Sequence, residues 1–209
     1  MGRVSTGTSR AARPDRLITL SDGIFAIAMT LLALDVRVPP DLGSAEFHDA
    51  LRETLPQLAA YALSFLIVSI FWRDQRSLLQ MSATTGGIPQ YLALAVLGVI
   101  ALVPFPTAML AEYGAEEPLA VAAYAGTICL VDLLHLAMFA TLRVHHGVRD
   151  VGEWRDTAAD LGATILVFGA SVPVAFLAPH AAMWCWLALL PAKIVLGRLE
   201  RSRQTAPES

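Results

Sequence analysis

Two ionisable side chains, Asp132 and His135, lie one helical turn apart within an apolar stretch of the chain. Imidazole titrates near neutral pH, so this pair could relay a proton across a membrane. The structural alternative is that hydrogen bonds within or between helices satisfy both groups, as is usual for polar side chains between packed helices. The structural role is favoured. A proton-coupled small-molecule or ion transporter that uses Asp132 and His135 is the alternative hypothesis for function.

A carboxylate near the start of the first apolar block is the other candidate for chemistry. Asp22 follows Ser21 directly and lies six residues after Arg16. A charged group in lipid is expensive and needs partners. Asp22 could bind ions at the mouth of a pore, or it could lock the rotation of its helix through hydrogen bonds to neighbouring helices. The second role is favoured.

The sequence contains no assembled catalytic set. Serines in the apolar blocks have no histidine at an activating spacing, and these blocks contain no paired carboxylates. The sequence also has no zinc-ligand spacing and no phosphate-binding glycine-rich loop. We therefore predict that the protein is not an enzyme and has no metal, cofactor or nucleic-acid partner.

The elements that carry these residues are predicted to be membrane helices. Of the 209 residues, 56% are hydrophobic and 16% are charged, with a mean hydropathy of +0.57. Soluble domains have about 45–50% apolar and about 25% charged residues. The apolar residues fall in blocks of about 20, enough to cross a hydrocarbon core of about 30 Å. The pattern predicts an all-α integral membrane protein with six transmembrane helices, over residues 16–38, 54–72, 89–111, 118–144, 158–177 and 181–199.

Charge placement predicts the domain organisation and the orientation. Residues 1–15 are predicted to be a disordered basic N-terminus, residues 16–199 the membrane domain and residues 200–209 a flexible tail. Positive residues in short loops remain cytoplasmic, and nearly all the arginines fall on the side of the termini. The opposite side has only Arg37 and Arg52, among acidic residues. We predict a multi-pass protein of the plasma membrane with both termini in the cytoplasm.

One face of the first predicted helix combines uncharged residues at helical spacing. Gly23, Ile27, Thr30 or Leu31, and Leu34 recur at steps of three and four, so they share a face. The face has one hydroxyl and several branched aliphatic side chains. It could pack against other helices, or it could line a narrow hydrophobic pore if several copies surround an axis.

Three stretches of the sequence resemble a known family. Residues 16–22, RLITLSD, are similar to the R-x-x-x-F-S-D signature of the transmembrane protein 175 family, the endosomal and lysosomal potassium channels and their bacterial relatives. Residues 23–32 continue the similarity, as do Phe71-Trp72 and residues 104–107, PFPT. The signature phenylalanine is Leu20 here, and the histidine usual after Phe-Trp is replaced by Gln75.

The resemblance implies a homotetramer in the lipid bilayer whose first helices surround a central potassium-permeable pore. It implies the following roles: Ile27 as the tightest constriction; Thr30, Leu31 and Leu34 lining the pore; Arg16, Ser21 and Asp22 as a structural motif; and Trp72, Pro104 and Thr107 as supporting helix contacts. A ring of isoleucines is an apolar bottleneck that can close by dewetting. The Thr30 hydroxyl could ease a partly dehydrated potassium ion. A non-conducting membrane scaffold is the third hypothesis for function, after the potassium channel and the proton-coupled transporter.

Overall fold

A computed structural model describes residues 12–82, 87–114 and 116–146, and positions 162, 164–166, 168–171, 173, 174, 176 and 186. The elements of the described chain are helices: α1 (Ala12–Leu32), a 3-10 helix (Ala33–Asp35), α2 (Ser44–Glu53), α3 (Leu55–Met81), α4 (Ile88–Leu102), α5 (Pro104–Tyr113) and α6 (Pro118–His146). The predicted fifth and sixth helices lie largely outside the described residues. The few positions that the structure describes within those two ranges are helical. Residues 1–11 and the predicted tail also lie outside them.

The first helix begins and ends earlier than predicted. It starts at Ala12 instead of residue 16, and Pro14 is tolerated because the amides of a first turn have no intrahelical partner. The helix tightens to 3-10 geometry at Ala33, and the chain is extended at Val36, with φ −81° and ψ 98°. The predicted end at residue 38 is therefore wrong, because Pro39 disfavours helical geometry in the residue before it.

The second predicted helix is longer than the sequence pattern indicated. Residues 73–76 were expected to end it, yet α3 continues through them to Met81. Arginine and glutamine favour helix, and the extension buries Gln75, Leu78 and Leu79. The short helix α2 precedes it, and Thr54 separates the two helices.

The third predicted helix is interrupted at Val103. Pro104 has no N–H to donate to the carbonyl of Ile100, which instead accepts from the Val103 N–H at 3.1 Å. The chain therefore forms two helices, α4 and α5, where one was predicted. The fourth predicted helix is confirmed as α6, which extends two residues further, to His146.

The helices pack around a shared apolar core. Helix α1 contacts α3 and α4, while α6 contacts α4 and α5. The core includes Phe25, Leu63, Ile67, Val96, Ile100, Tyr124, Ile128, Phe168 and Trp186. Four segments of the described chain are long and apolar enough to cross a membrane: Arg16–Asp35, Ser44–Met81, Ile88–Tyr113 and Pro118–Val144. The protein is a multi-pass membrane protein.

Candidate functional site

One side of α1 is exposed along its length, although the opposite side is fully packed. Leu20, Ile27 and Leu34 are 48%, 60% and 56% exposed, whereas Phe25 and Leu32 are each 1% exposed. What we call the exposed face of α1 consists of Leu20, Gly23, Ile27, Thr30 and Leu31 of α1 and Leu34 of the 3-10 helix that follows it. It brings together all four residues predicted to line a pore. A long apolar surface of this kind can be covered by lipid or by another copy of the chain.

Thr30 is the hydroxyl residue of this face, and its side chain bonds to its own helix. Its Oγ1 donates to the carbonyl oxygen of Ile27 at 2.8 Å. A hydroxyl that donates its proton still has two lone pairs, which can accept from water or contact a cation. The hydrogen bond thus fixes an oxygen one turn beyond Ile27 on an otherwise apolar surface.

Asp22 lies beside the exposed face and is held by two residues of α3. Trp72 Nε1 donates to its Oδ1 at 2.7 Å, and the Arg76 guanidinium donates to its Oδ2 at 3.3 Å. The guanidinium also lies 5.7 Å from the centre of the Trp72 ring, within the range of a cation–π contact. Both carboxylate oxygens therefore have partners on a neighbouring helix. This geometry supports the predicted structural role of Asp22.

The other two residues of the predicted motif take different positions. Ser21 is buried, with 2% of its surface exposed. Arg16 is exposed and lines a cavity of about 290 Å³ between α1 and α4, together with Leu17, Leu20, Gln90 and Leu94. Arg16 is thus separate from the contacts around Asp22, and its predicted role remains a prediction.

A second polar junction joins three helices inside the core. The Ser64 hydroxyl of α3 lies 3.0 Å from Thr107 Oγ1 of α5 and 3.0 Å from Tyr124 Oη of α6. Thr107 Oγ1 also donates to the carbonyl of Val103 at 2.9 Å, at the break that Pro104 introduces. Thr107 thus lies in a contact between helices, and Ser64 completes the junction; the supporting role of Thr107 stays a prediction.

A third polar junction contains His135 and Gln75, the glutamine that replaces the histidine usual after Phe-Trp. The amide Nε2 of Gln75 donates to the carbonyl of Ala93 at 3.3 Å, and its Oε1 lies 3.0 Å from His135 Nε2. Since Oε1 can only accept, the histidine must carry its proton on Nε2. Gln75 and His135 are both 0% exposed, and Asp132 is 2% exposed. The junction connects α3, α4 and α6.

Sequence reasoning missed Gln75, Ser64, Tyr124 and Arg76 as partners at these junctions. Buried polar side chains in a membrane helix need hydrogen bonds, so isolated polar residues in an apolar block are a usable signal. The second helix was predicted to end at residue 72, so Gln75 and Arg76 were not considered as polar residues within an apolar helix. Which residues pair with one another depends on the packing of the helices, and a single sequence does not contain this information.

The comparisons with known proteins agree with the resemblance seen in the sequence. Residues 16–104 match the model of the family described as endosomal/lysosomal potassium channel TMEM175. A potassium channel of Streptomyces collinus is 44% identical over 102 residues, which are 49% of this chain and 50% of the relative. A potassium channel of Chamaesiphon minutus is 32% identical over 123 residues, or 57% of this chain and 61% of the relative. The aligned parts thus span about half to three-fifths of these relatives.

An animal relative and a solved structure extend the comparison. The human endosomal/lysosomal proton channel TMEM175 is 31% identical over 142 residues, covering 63% of this chain and 28% of the relative. The crystal structure of a lysosomal potassium-selective channel TMEM175 homolog from Chamaesiphon minutus superposes with a TM-score of 0.75 at 21% identity. The superposition covers 88% of this chain and 97% of that chain. This likeness shows that the two share a fold.

Proposed function

We propose that this chain, whose residues 16–104 match the TMEM175 family model, is the subunit of a potassium-permeable cation channel. The exposed face of α1 is the observation that carries the proposal. Its apolar side chains remain uncovered while the rest of the helix is packed against α3 and α4. Relatives named potassium channels in two bacteria support the choice of potassium as the permeant ion.

The proposed assembly is a homotetramer with the exposed faces of α1 around a central axis. Within residues 12–146, as far as the structure describes them, one copy supplies one helix with this uncharged face, and one helix cannot enclose a pore alone. Each subunit has six transmembrane helices in this proposal, with both termini in the cytoplasm of a bacterial cell and the protein in the plasma membrane. The distribution of arginines supports the orientation, because positive residues in short loops remain cytoplasmic.

The proposed permeation path has its constriction at Ile27. A ring of isoleucine side chains offers no oxygen to a passing ion, so the ion must shed part of its water there, and closure of the ring empties it of water. Potassium holds its hydration shell less tightly than sodium, which favours potassium. Thr30 places a hydroxyl oxygen one turn beyond the ring, while Leu31 and Leu34 continue the apolar lining.

The transporter hypothesis has less support from the geometry. His135 is buried and hydrogen-bonded to Gln75, and Asp132 is buried on the same helix. A proton relay needs a path to water on each side, whereas these residues lie in a junction between α3, α4 and α6. The junction explains Gln75 and His135 as packing partners without transport.

Potassium flux from liposomes tests the proposed function. The full chain is expected to release potassium, and Ile27→Ala is expected to raise the flux by about twofold or more because the ring becomes wider. Leu66→Ala is the matched control, since Leu66 is a leucine of α3, not of α1, and is 46% exposed. Absence of flux, or an equal effect of both substitutions, would contradict the proposal.

A further inference from the structure

Arg37 lies two residues after the 3-10 helix that continues α1, and its side chain folds back onto that helix. Arg37 Nε donates to the carbonyl oxygen of Leu34 at 2.7 Å. The Arg37 backbone is held at the start of α3, where its N–H faces Gln57 Oε1 and its carbonyl faces Thr54 Oγ1, each at 3.5 Å. The side chain therefore has a defined place at the carboxyl end of α1.

This position determines what an ion would meet at the end of the helix. The last carbonyls of a helix lack intrahelical partners and carry a partial negative charge, which attracts cations. Arg37 satisfies the Leu34 carbonyl and adds a full positive charge there. Leu34 is also the last residue of the exposed face of α1, so the guanidinium lies at the end of that face.

Two acidic residues flank Arg37 in the sequence. Asp35 belongs to the 3-10 helix that follows α1, and Asp41 follows Pro39 and Pro40; both are exposed. These carboxylates attract cations, whereas the Arg37 guanidinium repels them. Loss of the Arg37 charge would therefore make the field at this end of the helix more favourable to cations.

We propose that Arg37 is a specificity-determining residue that forms a ring of positive charge at the outer end of the pore and limits the access of cations. The proposal rests on the proposed function, because only a symmetric assembly around α1 brings the arginines together beside one path. Fixed charge at a pore mouth changes the local concentration of ions, and salt screens this effect. The restriction should therefore be strongest in dilute salt.

The test is Arg37→Gln in the full chain, reconstituted in vesicles of neutral lipid at two potassium chloride concentrations with matched osmolarity. At about 10 mM salt the Debye length is about 30 Å, and we expect about threefold or more flux than in the wild type. At about 1 M salt the Debye length is about 3 Å, and the two proteins should agree within about 1.5-fold. Arg37→Lys retains the charge and should keep the flux of the wild type at both concentrations.

Arg73→Gln is the matched control for charge. Arg73 is an exposed arginine whose guanidinium lies 3.4 Å from Asp74. It is about 27 Å along α3 from Leu55, the start of that helix, where the Arg37 backbone lies. The substitution thus removes the same charge far from Arg37 and should leave the flux within about 1.5-fold of the wild type in both salts. An equal rise with Arg73→Gln, or no rise with Arg37→Gln, would overturn the proposal.

Two further outcomes distinguish failure of the proposed channel function from failure of the proposed role of Arg37. A wild-type chain that passes no potassium refutes the proposed function and with it the role of Arg37. A wild-type chain that conducts, with no difference between Arg37→Gln and Arg73→Gln, refutes only the role of Arg37. If Arg37→Gln does not assemble, Arg37→Met decides, because it removes the charge and keeps a long side chain: it should raise the flux about threefold or more in dilute salt, and an unchanged flux would overturn the proposal.

Discussion

Asp22 shows how a carboxylate can persist in an apolar helix by means of partners on another helix. A hydrogen bond to a charged acceptor contributes about 1.5–3 kcal/mol, more than a neutral bond. The Trp72 indole lies closer to Asp22 than the Arg76 guanidinium does, at 2.7 Å against 3.3 Å. Arg76 and Asp22 are also 44% and 38% exposed, so solvent weakens their ion pair. Trp72 is therefore expected to be the more important partner.

Trp72→Phe tests this ranking because it keeps an aromatic ring while removing the indole N–H. We expect a loss of about 1–3 kcal/mol in the free energy of unfolding, since one carboxylate oxygen loses its donor. Denaturant unfolding in detergent, followed by circular dichroism, measures the change. The control is Tyr91→Phe, at a side chain that is 75% exposed, where we expect a change below about 0.5 kcal/mol. Equal stabilities of Trp72→Phe and the wild type would contradict the ranking.

The identity of the important residues could be predicted from the sequence more readily than their partners could. The spacing of Ile27, Thr30 and Leu34 placed them on one face, and the structure has them on one exposed side. Asp22 was identified because a charge in an apolar block needs a partner. That the partners are Trp72 and Arg76 follows from the crossing of α1 and α3, which depends on the packing of both helices.

Among the helices, the junction at Gln75 shows why the end of the second helix was predicted at the wrong residue. The polar residues 73–76 have the composition of a loop at the membrane surface, so the second helix was predicted to end before them. Gln75 instead lies inside the helix bundle, where its amide bridges the Ala93 carbonyl and His135. Local composition cannot reveal that a polar side chain has partners from two other helices. The break at Val103 had a local cause, Pro104, which was visible in the sequence.

Gln75→Leu tests the contribution of this junction to the packing of α3, α4 and α6. The substitution leaves the Nε2–H of His135 and the carbonyl of Ala93 without this partner, and a buried unsatisfied group costs about 1–3 kcal/mol. We expect a loss of about 2 kcal/mol or more in the free energy of unfolding. Gln80→Leu is the control, because Gln80 lies on the same helix and is exposed.

Thermal unfolding of both variants in the same detergent provides the comparison. Gln75→Leu should unfold at a clearly lower temperature than the wild type, and Gln80→Leu should not. If both variants unfold together with the wild type, the junction does not stabilise the bundle, and its hydrogen bonds would be better explained by a functional role.

For the whole molecule, the exposed face of α1 has meaning only in an assembly. Sequence periodicity predicted the face, but it could not distinguish a surface in lipid from a surface around an axis. The two alternatives differ in one measurable respect: around an axis, the same residue of neighbouring subunits comes close together. A lipid-facing residue of a symmetric assembly has its counterparts far away.

Ile27→Cys distinguishes these alternatives in a background in which Cys129 and Cys185 are replaced by alanine. A disulfide needs β-carbons about 3.5–4.5 Å apart, so cysteines at a constriction should form subunit dimers under mild oxidation. We expect most of the chain to run as a dimer in a denaturing gel without reductant and as a monomer with reductant. Leu66→Cys, at an exposed position of α3, should remain monomeric under the same conditions. Cross-linking at position 66 without cross-linking at position 27 would mean that the exposed face of α1 points away from any shared axis, and the proposed pore would have to be abandoned.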